Sequence, residues 1–201
     1  KSKIIDFKFT LDGNEQFSSV FEFRAHWEKL KENALLNSFL NEEHLLFVEQ
    51  PLHRDFALND DVSRDIHQWD LCPSMIIDES DGEISSLQRA LDLGYRGTSH
   101  KNCKGVFKGI ANACKIQLNR QTKDGEWILS GEDLANVGPV ALLNDLTVMS
   151  SLGVNHVERN GHHYFAGLSV YPKDLQRKIC LAHPDLYSFG QLDFPSLVIN
   201  N

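Results

Sequence analysis

A chain of 201 residues, 41% hydrophobic and 24% charged, is long enough to bury one substantial core and has the composition of an ordinary globular domain. Its formal net charge of −8 opposes non-specific binding to nucleic acid or to an anionic membrane, because both require a positive field. No apolar run reaches the roughly 18–20 residues of a membrane span. The opening residues, Lys-Ser-Lys-Ile-Ile-Asp, have neither the apolar core nor the cleavage site of a secretory leader. Cys72, Cys103, Cys114 and Cys180 show no CxxC spacing, which predicts reduced, mostly buried thiols in a cytoplasmic protein.

In chain order, Ile4–Leu11 reads as a strand with a polar break. Residues 17–40 have helical spacing, with Phe23, Trp27, Leu30, Ala34 and Leu35 on one face. Leu45–Val48 is a short apolar strand that Pro51 ends. A helix is predicted over Asn59–Asp70, a strand over Met75–Ile77, and a helix over Ile84–Leu93 with Gly94 as its stop. Tyr95–Ser99 is a strand and Gly105–Thr122 a helix, broken by Lys123-Asp124-Gly125. Trp127–Leu129 is a strand, Pro139–Leu152 a helix and Val154–Val157 a last strand. Six strands thus alternate with helices. Fully apolar strands suit a parallel sheet covered on both faces, so the fold class is α/β, either a barrel or an open doubly wound sheet. No linker or internal repeat divides the chain, which predicts one domain over residues 1–201.

The residues at the end of each apolar run are more informative. The successive strand ends carry Asp12 with Glu15, Glu49, Asp78 with Glu79, Lys101 with Lys104, Glu132 with Asp133, and Glu158 followed by His162-His163. In α/β barrels the active site forms at this carboxyl edge. A single acidic residue there is usually a helix cap or a solvated loop charge. Three consecutive strands ending in carboxylates, followed by one ending in lysine, form a pattern that capping alone does not explain. If the strands are parallel neighbours, Asp12, Glu49 and Asp78 converge, and their mutual repulsion is relieved by a hard divalent cation. Mg²⁺ suits such a site, because it takes few carboxylates and keeps positions for water and substrate. Lys101 beside that cation becomes a base at neutral pH.

The words Leu11-Asp12-Gly13-Asn14, Phe47-Val48-Glu49-Gln50-Pro51-Leu52, Ile76-Ile77-Asp78-Glu79-Ser80 and the lysine of Ser99-His100-Lys101-Asn102 resemble the enolase superfamily, in its mandelate racemase and muconate lactonizing enzyme branch. The resemblance covers nearly the whole chain. It implies a TIM-barrel-like (β/α)₇β barrel of which strands three to eight are present, while the first two strands and the N-terminal capping domain are absent from this chain. It implies that Asp12, Glu49 and Asp78 bind Mg²⁺ and that Lys101 is the acid or base. The implied chemistry is abstraction of the proton α to a carboxylate on a hydroxy-acid or sugar-acid-like substrate, giving an enediolate. The enzyme would be a lyase or isomerase, such as a dehydratase, racemase or cycloisomerase. The pairing of lysine with Mg²⁺ is a trait of that family and is borrowed with it. The histidine that racemases of this branch place after strand seven is not found here, where the sequence reads Ser130-Gly131-Glu132-Asp133.

Several positions keep two readings. Adjacent strand residues face opposite ways, so either Asp78 or Glu79 is the third ligand, not both equally. Asn14 touches substrate or is a turn residue of Asp-Gly-Asn. Lys104 fixes a substrate anion or is solvated at a helix start. Glu132 and Asp133 are a second acid or its support, with Asp133 more readily a helix cap before Leu134. Glu158 is a second catalytic group, bracing Lys101 or meeting substrate, or forms an outward salt bridge. His162-His163 diverge and make a poor zinc site. Lys104–Gly109 lacks the spacing of a phosphate loop. The partner expected is a small-molecule carboxylate, not nucleic acid or membrane; a homo-oligomer is compatible. A catalytically inactive or incomplete fragment is the alternative function, and an open sheet binding a nucleotide is disfavoured by the glycine-poor turn after the first strand.

Overall fold

The computed structural model of the protein describes residues 7–189 and 196–197. The expected strand at Ile4–Leu11 appears as β1 (Phe9–Asp12), and its residues 4–6 lie outside the described part. The other strands of the main sheet are β2 (Leu45–Glu49), β3 (Met75–Ile77), β4 (Gly97–His100), β5 (Ile128–Glu132) and β6 (Val157–Glu158), and the sheet takes all six in chain order. The pairs β1–β2, β2–β3, β3–β4 and β5–β6 are parallel. The helices are α1 (Val20–Glu32), α2 (Ala34–Phe39), α3 (Arg54–Ala57), α4 (Asp60–His67), α5 (Ser86–Leu93), α6 (Val106–Thr122), α7 (Val140–Leu152) and α8 (Lys173–Ala182). This is an α/β fold with a parallel sheet in sequential order, compatible with part of a barrel. No helix among the described residues is long and apolar enough to cross a membrane.

The chain divides into two compact units, Lys1–His100 with Ile110–Ser130, and Lys101–Gly109 with Gly131–Asn201. In the first, the helical stretch expected over residues 17–40 is two helices. Asn33 takes an extended backbone, and its side chain accepts from the Leu35 and Leu36 N–H groups, so it caps α2 instead of continuing α1. The break separates the expected face: Phe23 and Trp27 are buried, whereas Leu30 and Leu35 are exposed.

The first unit has apolar packing on both faces of its strands. Val48, Met75 and Ile77 join Val20, Phe23, Trp27 and Leu93 of the helices in the larger cluster. Phe47, Ile76 and Ile128 form a second cluster. Side chains alternate along a strand, so Phe47 shares its face with Glu49, Ile76 with Asp78, and Ile128 with Ser130 and Glu132. Gly97 is the register partner of Ile76. A Cβ there would lie 1.7 Å from the Ile128 carbonyl oxygen, so only glycine permits this approach. Beneath α6, Asp81 accepts from the Thr98 hydroxyl and the Asn112 amide at 3.1 Å each, and all three are buried.

In the second unit, Leu142, Leu168, Ile179 and Tyr187 form the core, drawn from α7, α8 and the loops around them. Ser196–Leu197 pairs antiparallel with Tyr187–Ser188, giving a small two-stranded sheet that the sequence did not predict. The expectation of mostly buried thiols needs correction: Cys103 and Cys114 are exposed and Cys72 and Cys180 half-buried, with all four free. Cys103 lies in the 3₁₀ turn Asn102–Lys104, and Cys114 occupies an outward position on α6.

Candidate functional site

In the first unit, Glu49 ends β2 and is the register partner of Ile76, two residues before Asp78. Both carboxylates are buried, at 7% and 3% exposure, and an oxygen of each lies within 4.8 Å of the other. Gln50 fixes this pair. Its Oε1 accepts from the Asp78 N–H at 2.7 Å and from the Ser80 N–H at 3.2 Å. Its Nε2 donates to the Leu52 carbonyl at 2.7 Å and to the Ser80 hydroxyl at 2.8 Å. A single buried amide therefore ties the end of β2 to the end of β3. Of the two readings at residues 78 and 79, the buried position beside Glu49 belongs to Asp78; Glu79 is half-buried.

Asp12 is the register partner of Glu49 on the neighbouring strand, but it is exposed, and its Oδ1 accepts from the Asn14 N–H at 2.9 Å. Asn14 has φ 43° and is thus a turn residue. Gly13 donates its N–H to the Glu49 carbonyl at 2.7 Å, and a Cβ on it would lie 2.5 Å from Pro51 Cα. The turn continues to Glu15, which receives the Arg54 guanidinium at 2.7 and 2.6 Å and the Arg54 N–H at 2.8 Å. Those hydrogen bonds hold the Glu15 carboxyl below its usual range, against a smaller opposing effect of burial. Among the described residues, the non-glycine positions with left-handed φ are Asn14, Glu15, Gln50, Leu134 and Ala135, all in turns next to the acidic ends of β1, β2 and β5. Strained backbone of this kind concentrates where side chains must be aimed.

In the second unit, Lys101 Nζ lies 2.5 Å from Glu132 Oε2, with the two side chains 12% and 13% exposed. The other oxygen of Glu132 accepts from the Asn160 amide at 3.0 Å. Glu158 is the register partner of Glu132 and is exposed. Asp133 does not cap a helix, as the sequence suggested, because α7 begins only at Val140. Its Oδ1 accepts from the Ala135 N–H at 2.9 Å within a turn, and its Oδ2 is 3.4 Å from Arg159. Arg159 also binds the fully buried Asp145 of α7. Lys104 ends the 3₁₀ turn Asn102–Lys104 and is half-buried. The rings of His162 and His163 are 4.0 Å apart, and His162 Nδ1 lies 2.9 Å from the Arg159 carbonyl.

No protein-family model, no curated protein and no solved structure matches this chain.

Glu49 and Asp78 come together at the ends of β2 and β3, and Asp12 stands in register beside Glu49 with its side chain exposed. Lys101 meets Glu132, a residue that the sequence offered only as a second acid or a support. Gln50, which bonds Asp78 and Ser80, and Asn160, which bonds Glu132, are the residues that sequence reasoning missed. The one signal for Gln50 was its place immediately after Glu49. The donor set at Glu49 and Asp78 is wholly carboxylate oxygen, desolvated and closely spaced, which fits a hard divalent cation and offers no nitrogen or sulfur for a softer one.

Proposed function

We propose that the protein removes the proton α to the carboxylate of a hydroxy acid or sugar acid, with one divalent cation held by the buried carboxylates Glu49 and Asp78. The supporting observation is the buried pair Glu49–Asp78, whose oxygens approach within 4.8 Å. Asp12, the third ligand implied by the resemblance, is exposed, and its Oδ1 accepts from the Asn14 N–H.

Mg²⁺ is the ion that the family resemblance implies; bound there, it would supply positive charge to the substrate carboxylate. The chain's own groups do the rest. Lys101, oriented by Glu132, takes the proton: the C–H bond breaks, its electron pair stays on the substrate and the proton passes to Nζ. The low exposure of Lys101 and Glu132 keeps bulk water from competing for that proton. Dehydratase, racemase and cycloisomerase reactions share this step.

The test has two arms on the full-length protein. Calorimetry should record uptake of Mg²⁺, and NMR should detect exchange of an α-proton for solvent deuterium in one of a panel of aldonic and hydroxy acids. Lys101→Ala should abolish exchange and leave Mg²⁺ uptake in place. Absence of Mg²⁺ uptake, or exchange that survives Lys101→Ala, removes the reading.

A further inference from the structure

Resting on that proposed function, we infer that Asn160 is a positioning residue for the proton transfer at Lys101, acting through Glu132. Lys101, Glu132 and Asn160 all belong to the second unit. One oxygen of Glu132, Oε2, meets Lys101 Nζ at 2.5 Å, and the other, Oε1, accepts from the Asn160 amide at 3.0 Å. The last torsion of a glutamate side chain is broad and weakly preferred, so a carboxylate bonded at one oxygen alone turns easily. A bond to each oxygen removes that freedom. The direction of the Asn160 amide is fixed by its chemistry, since only its NH₂ group donates to a carboxylate.

The charges are sorted as well as the directions. Glu132 and Asp133 are consecutive at the end of β5, and Arg159 and Asn160 are consecutive just after β6. They pair crosswise. The Arg159 guanidinium reaches Asp133 at 3.4 Å and also the fully buried Asp145, whereas the neutral amide of Asn160 reaches Glu132. A guanidinium at Glu132 would draw on its negative charge; an amide fixes the carboxylate and leaves that charge to Lys101. A carboxylate beside an amine favours the ammonium form, so Glu132 stabilises Lys101 once it has taken the proton. Asn160 is itself held. Its carbonyl accepts the His163 N–H at 3.0 Å in the 3₁₀ turn Gly161–His163, and its side-chain Oδ1 is buried with no hydrogen-bond partner. A buried amide that satisfies its donor and leaves its acceptor unpaired is placed for the donor.

The experiment uses the full-length protein and two readouts. The first is the rate of α-proton exchange for solvent deuterium in the acid that the wild type exchanges. Asn160→Ala removes the donor, and the isosteric Asn160→Asp keeps the shape but turns the donor into an acceptor. Each should lower the rate at saturating substrate by about 10-fold or more, with KM unchanged. The second readout is the Nζ NMR signal of Lys101 in protein carrying nitrogen-labelled lysine, assigned by its loss in Lys101→Arg and recorded without substrate. Both Asn160 variants should move that signal in the direction in which Glu132→Gln moves it. In a Glu132→Gln background, Asn160→Ala should change neither readout further, because the group it positions is already gone. A wild-type rate in Asn160→Ala, an unmoved Lys101 signal, or an equal loss in both backgrounds overturns the inference and leaves the proposed function standing. A wild type that exchanges no acid of the panel removes the proposed function, and this inference falls with it.

Discussion

The Asp78 backbone N–H donates to Gln50 Oε1 at 2.7 Å, across 28 residues of sequence. The amide of Gln50 replaces the regular ladder just where β3 stops, and it sets the distance from Glu49 to Asp78. Gln50 has φ 34° and is 1% exposed, so the chain accepts a strained backbone to put this side chain between two strand ends.

Gln50→Leu should therefore act on stability and on the cation site together. It leaves the Asp78 and Ser80 N–H groups and the Leu52 carbonyl without the partner they have now. The expected loss is about 2–4 kcal/mol, the cost of orphaning buried backbone groups. Urea denaturation would measure it, and Mg²⁺ titration of the folded variant should show weaker binding. A variant as stable as the wild type would mean that other groups take over these hydrogen bonds.

The Glu15–Arg54 pair predicts a specific pH dependence. Folding depresses the Glu15 carboxyl below its ordinary value of 4.5, chiefly through the Arg54 hydrogen bond. A depressed acid contributes its stability above its unfolded value and loses it as the pH falls through the folded one. Arg54→Ala should consequently lower stability at pH 7, and the gap to wild type should narrow steadily below pH 4.5. Denaturation midpoints of both proteins between pH 7 and pH 3 provide the check; a gap that stays constant would show that Arg54 acts by packing alone.

Thiol reactivity should separate the cysteines. Cys103 and Cys114 are exposed, whereas burial pushes the Cys72 thiol up to about 12. Because the thiolate is the reactive form, iodoacetamide at pH 8 should label Cys103 and Cys114 first, with Cys72 about 100-fold slower or more. Peptide mapping by mass spectrometry at timed intervals reads the order, and early labelling of Cys72 would contradict its packing beside the core cluster of Trp27 and Tyr95.

Much of this molecule was written locally. Three apolar residues at Met75–Ile77, a glycine stop at Gly94 with φ 110°, and acidic residues closing β1, β2 and β5 arise from side-chain periodicity and turn chemistry over a few positions. Short-range rules of that kind placed Glu49 and Asp78 on strand ends, and the parallel pairing of β2 with β3 did bring them together. The partners were another matter. That Lys101 meets Glu132, that Gln50 reaches Asp78, that Asp81 is buried between Thr98 and Asn112, and that Asn33 breaks a helix whose apolar spacing runs on past it all depend on register and packing between segments far apart in the chain. Periodicity states which way a side chain faces; only the packed neighbours decide what stands there to receive it.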